Sequence, residues 1–120
     1  MVRSIAHGFF VCLLLATSVQ AIVMTVNKGD ALDFDPASIP VKLKSNHAIL
    51  QAKCRKCHSL ERVVVAIRSR IAPISGGVFD HNSVKSYGIK MLRKHDSGMT
   101  KNDVKMVMEL LDRLIDESAK

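Results

Sequence analysis

Residues 54–58 read Cys-Arg-Lys-Cys-His. Two cysteines three positions apart, with histidine directly after the second, is the spacing of c-type haem attachment. The spacing has a physical reason. A turn of helix sets the two thiols at the separation of the two vinyl groups on one porphyrin edge. The next residue then lies beneath the ring, where an imidazole nitrogen reaches the iron. The motif occurs once, so a single haem c is expected. Cys54 and Cys57 would tether it, and His58 would be its proximal iron ligand.

Other chemistries of paired cysteines fit less well. A thioredoxin-like redox pair needs a βαβ setting, and no such pattern surrounds residue 54. A zinc site takes four ligands, and two close cysteines with an adjoining histidine do not readily converge on one metal. A plain disulfide would give His58 no role.

The composition agrees with a cofactor at the centre. A chain of 120 residues has room for one domain and one core. It has no Trp, one Tyr and four Phe. So small and ring-poor a domain needs an added staple, such as a disulfide, a metal, a cofactor or a partner chain. A covalently held, flat, apolar ring supplies it. The same length excludes a large enzyme with separate cofactor and substrate domains.

Residues 1–21 read as a cleaved signal peptide. Arg3 gives a positive start, residues 9–16 form a short apolar run, and Val19 and Ala21 are small residues placed for signal peptidase. The run is too short for a good membrane span. Export to the periplasm is expected, and removal of Cys12 leaves Cys54 and Cys57 in an oxidising compartment. Residues 22–44 show no lasting helical period and read as an N-terminal arm. The folded domain is expected over residues 45–120.

That domain reads as all-α. Ser45 and Asn46 are good N-caps for a helix running through the cysteines, with Leu50, Cys54 and Cys57 on one face. A second helix is expected over residues 60–71, ended by Pro73. Residues 74–82 read as a loop. Asn82 or Ser83 would cap a third helix to about residue 94, with Val84, Tyr87, Gly88 and Met91 inward. Residues 95–99 form a turn. Thr100 then caps a last helix, with Asp103 completing a short-armed capping box. Its apolar stripe is Val104, Val107, Met108, Leu111, Leu114 and Ile115.

The signal peptide, the Cys54–His58 motif late in a first helix, a downstream methionine and a final amphipathic helix together resemble the small bacterial monohaem cytochromes c, of class I-like type. The resemblance covers about residues 45–117. It implies N- and C-terminal helices packed around one covalent haem. It also implies a methionine sulfur as the distal iron ligand. Residues 90–100, Lys-Met-Leu-Arg-Lys-His-Asp-Ser-Gly-Met-Thr, resemble the family's ligand segment with Met91 in the ligand position. Met99 is the alternative, and a histidine would give bis-His iron of lower potential. A methionine at helical spacing is more often core filler, and Met108 reads that way. His47, His81 and His95 read as a cap neighbour, a loop residue and a solvated turn residue.

Lys plus Arg number 18 against 11 Asp plus Glu, a formal charge of +7. Lys53, Arg55, Lys56 and Arg62 surround the motif, while Lys85, Lys90, Arg93 and Lys94 gather near Met91. Such patches suit docking to an acidic redox partner protein, and equally a plain solvated surface. Peripheral contact with anionic lipid stays open through the same charge. Nucleic acid is not an expected partner, and a monomer is. The resemblance implies an electron carrier and not an enzyme, with two strong axial ligands and no open iron position. Two alternatives stand beside it: the haem subunit of a larger oxidoreductase, and a five-coordinate haem protein that binds gas or peroxide.

Overall fold

A computed structural model describes residues 26–28 and 31–118. The expected signal peptide lies outside the described residues. The described residues form a mostly helical fold, compatible with the all-α expectation. A short antiparallel hairpin opens it. Strand β1 (Val26–Lys28) pairs with β2 (Ala31–Asp33), in the register Val26 with Asp33 and Lys28 with Ala31.

Four α-helices come after it: α1 (Lys44–Ile49), α2 (Glu61–Ser69), α3 (His81–Arg93) and α4 (Lys101–Ser118). Helix α1 continues into Leu50–Cys54, where the backbone widens to a π-helical turn. Such turns are rare and gather at functional sites.

The local chemistry explains the boundaries. At α4 the expected capping box is present: Asp103 N donates to Thr100 Oγ1 (3.1 Å) and Thr100 N donates to Asp103 Oδ2 (2.8 Å). At α3 the cap is Asp80, whose Oδ1 accepts from Ser83 N at 2.9 Å, and not Asn82 or Ser83. An Asp at this earlier position satisfies the N3 amide, so the helix begins sooner than expected. Helix α2 ends before Pro73. Arg70 takes a left-handed conformation (φ 61°) and returns its N–H to Ala66 O. At α1, Asn46 is no cap. It is buried and donates from Nδ2 to Met106 O (2.9 Å) and Glu109 Oε2 (3.2 Å) on α4.

The core gathers where α4 meets the other helices. Leu110, Leu114 and Ile115 are buried there with Leu60, Val64, Ile67 and Val84. Leu110, outside the stripe read from the sequence, is fully buried. The segment read as an arm adds Phe34, Ile39 and Leu43 to the same core. It adds Asp33 as well, a buried carboxylate that accepts from Phe34 N (2.7 Å) and Gln51 Nε2 (2.9 Å). Among the described residues, no helix is long and apolar enough to cross a membrane.

Candidate functional site

A groove of about 530 Å³ opens between the helices. That volume lies within the range of cofactor and ligand sites, about 300–1,000 Å³. One wall runs from the π-turn to the end of the motif and presents Leu50, Cys54 and His58. The facing wall is α3 with Val84, Tyr87, Gly88 and Met91, joined by Met99. Helix α4 closes the back with Val104, Val107, Met108 and Leu111, and Arg62 and Ile74 also line it.

The helices approach closely at Gly88. A Cβ there would lie 2.7 Å from Met108 Sδ and 3.1 Å from Val104 Cγ1. The missing side chain lets α3 rest on α4 and sets the width of the groove. Met108, read from the sequence as core filler, is partly buried and faces this crossing and the groove.

Both cysteines of the motif are free thiols. Cys54 is half-buried, and burial raises its pKa above the ordinary thiol value. It is therefore a protonated thiol at neutral pH. Cys57 lies in the exposed turn after the π-turn and is not among the groove-lining residues. His58 is exposed at the groove and its Nδ1 contacts Ser59 O at 2.8 Å. A carbonyl oxygen only accepts, so Nδ1 is the donor in this contact, and in the neutral ring the acceptor nitrogen is then Nε2.

The groove brings together four of the five side chains singled out in the sequence: Cys54, His58, Met91 and Met99. Both methionines reach it, so the placement does not choose between them. The other described histidines, His47, His81 and His95, sit elsewhere. His47 is buried beside Gln51 (3.2 Å). His95 is solvated and meets Asp96 at 2.9 Å. His81 opens α3 and bridges two carboxylates of α4, Asp112 at 2.8 Å and Asp116 at 3.1 Å. The sequence placed it in a loop and carried no sign of that bridge.

The chain matches no protein-family model, no curated protein and no solved structure.

The remaining side chains say what kind of group fits. The walls are chiefly aliphatic, aromatic and thioether, so an occupant would be apolar over most of its area. One imidazole, one thiol and the three thioethers of Met91, Met99 and Met108 are the soft donors that line it. Among the described residues, no three His, Cys, Asp or Glu side chains gather as a metal site. A tetrahedral zinc site therefore has no visible set of ligands here.

The surface charge is partly committed. Lys53 Nζ donates to Gly98 O (2.8 Å). Arg55 donates to Gln51 Oε1 (3.2 Å) and lies 3.9 Å from Asp33. Lys90 stands over the Tyr87 ring at 5.3 Å. Lys56, Arg62, Lys85, Arg93 and Lys94 are exposed.

Proposed function

We propose that this chain is a periplasmic monohaem cytochrome c that carries electrons, with a class I-like arrangement of its helices. One observation carries the reading: Cys54 and His58 of the attachment motif line the same apolar groove as the candidate ligands Met91 and Met99. Covalent haem would supply an iron that cycles between ferric and ferrous states. The chain's own residues would do the rest. Cys54 from the groove wall and Cys57 from the exposed turn after it would hold the group by thioethers, which a core this small would need. His58 offers Nε2 from a ring oriented by Ser59 O. Met91 is the distal ligand of this reading and Met99 the alternative. A thioether opposite an imidazole raises the potential. Tyr87, Val104, Val107 and Leu111 would exclude water, and the Arg62 guanidinium at the groove would offer a charge to an acidic group. An imidazole and a thioether both held by the iron would leave no position for substrate, so a carrier is favoured over a catalyst. The exposed basic groups would then meet an acidic redox partner.

The test is the optical spectrum of the protein produced with haem-attachment machinery, oxidised and reduced. The expected result is a covalent low-spin haem with the weak long-wavelength sulfur-to-iron band, lost in Met91→Ala and kept in Met99→Ala. Loss in Met99→Ala alone moves the ligand and keeps the function. A high-spin spectrum with carbon monoxide binding on reduction would replace the carrier with an open-site haem protein. Absence of covalent haem would sink the reading.

A further inference from the structure

We propose that Lys53 is a positioning residue that fixes Met99 against the wall carrying Cys54. The inference rests on the haem reading above and deepens it. Lys53 directly precedes Cys54 in the π-turn. Its ammonium reaches across to the α3–α4 connection and donates to Gly98 O at 2.8 Å. It also lies 3.8 Å from Asp103 Oδ2. That same carboxylate oxygen accepts from Thr100 N at 2.8 Å.

The two bonds hold two particular peptide groups. The Gly98 carbonyl belongs to the peptide entering Met99, and the Thr100 N–H to the peptide leaving it. Pinning both planes fixes φ and ψ of Met99, and with them the direction of its Cα–Cβ bond. Gly98 itself is left-handed (φ 61°), a conformation that glycine takes at no steric cost. Met99 therefore leaves the backbone along one Cα–Cβ direction, set in part from the residue beside Cys54. The Lys53 charge, which the sequence reads equally as docking patch or solvated surface, is engaged within the fold. As ligand or as the side chain packed beside Met91, Met99 would close this side of the iron to outside ligands.

Imidazole binding to the oxidised holoprotein tests this, read for wild type, Lys53→Met and Lys53→Arg. Lys53→Met should keep covalent haem and bind imidazole about tenfold more tightly, while Lys53→Arg stays within about twofold of wild type. Amide hydrogen exchange gives a second readout that needs no haem. In Lys53→Met the amides of Met99 and Thr100 should exchange faster, with α2 unchanged. Unchanged imidazole affinity in a haem-bearing Lys53→Met protein overturns the proposal, and so does unchanged exchange at those two amides. Wild type without covalent haem would fail the parent reading instead, visible in its spectrum alone, and the exchange of the haem-free chain would then decide the clasp.

Discussion

At Thr100 and Asp103 the chain closes two reciprocal hydrogen bonds over three residues of sequence. Thr100→Ala should cost about 1 kcal/mol of stability, read as a shift in the urea midpoint. The Asp103 carboxyl is held below its ordinary pKa, first by the Thr100 backbone N–H, then by the Thr100 hydroxyl, with Lys53 adding a smaller share against the opposing effect of burial. Its contribution is complete above the ordinary carboxylate range and is lost as pH falls through the lowered value. Asp103→Asn should therefore flatten the acid side of the stability profile. His81 shifts the other way. The hydrogen bond to Asp112 chiefly raises its pKa, and Asp116 adds to it. That contribution is full below the ordinary histidine range and is lost as pH rises through the raised value. Urea midpoints of wild type and His81→Gln should differ at acid pH and converge above neutrality. A gap that persists at alkaline pH would show that imidazole charge is not what holds α3 to α4 there. The first of these pairs is legible in the sequence because its partners are three residues apart. The second is not, because Asp112 lies 31 positions from His81 and nothing local joins them.

Helix α3 meets α4 where one side chain is missing. Gly88→Ala would put a methyl 2.7 Å from Met108 Sδ and 3.1 Å from Val104 Cγ1. Met108 has freedom to swing, but it would swing into the groove, and Val104 on the buried face of α4 has little. Overpacking of this kind costs about 1–3 kcal/mol. The thermal midpoint should fall, and the fall should be larger in protein that carries the cofactor than in protein that lacks it. The stripe on α4 and the inward positions of α3 can be read from helical period, since both faces answer to a single packed side. The α3 cap is harder to read, because Asp80, Asn82 and Ser83 are all good capping residues within four positions. Asn46 misleads for a related reason. Its amide suits a helix end, yet here it satisfies a carbonyl and a carboxylate of α4, partners that exist only once the helices are packed. The π-turn before the motif has no sequence signature of its own.

The core draws on residues from Phe34 to Ile115. Phe34 is 1% exposed, so Phe34→Ala should cost about 3–5 kcal/mol. Against a total of about 5–15 kcal/mol for a typical domain, that loss should be plain in a urea titration. A change near zero would show that Phe34 adds little to the core. Phe34, Ile39 and Leu43 are hard to find in the sequence because they sit in and beside the hairpin and 3₁₀ turns, where burial keeps no period. On the proposed carrier reading, with a formal charge of +7 and exposed Lys56, Arg62, Lys85, Arg93 and Lys94, electron transfer to an acidic partner should slow steeply as salt is added. A rate indifferent to salt would leave the basic surface as solvation alone. Tyr87 on the groove wall, packed 5.9 Å from the Phe79 ring centroid, gives the molecule one more property. The chain has one tyrosine and no tryptophan. Its near-ultraviolet emission therefore comes from a single fluorophore, already placed beside whatever fills the groove. A strongly absorbing ring there would quench it by energy transfer, and loading of the protein could be followed in real time with no added dye.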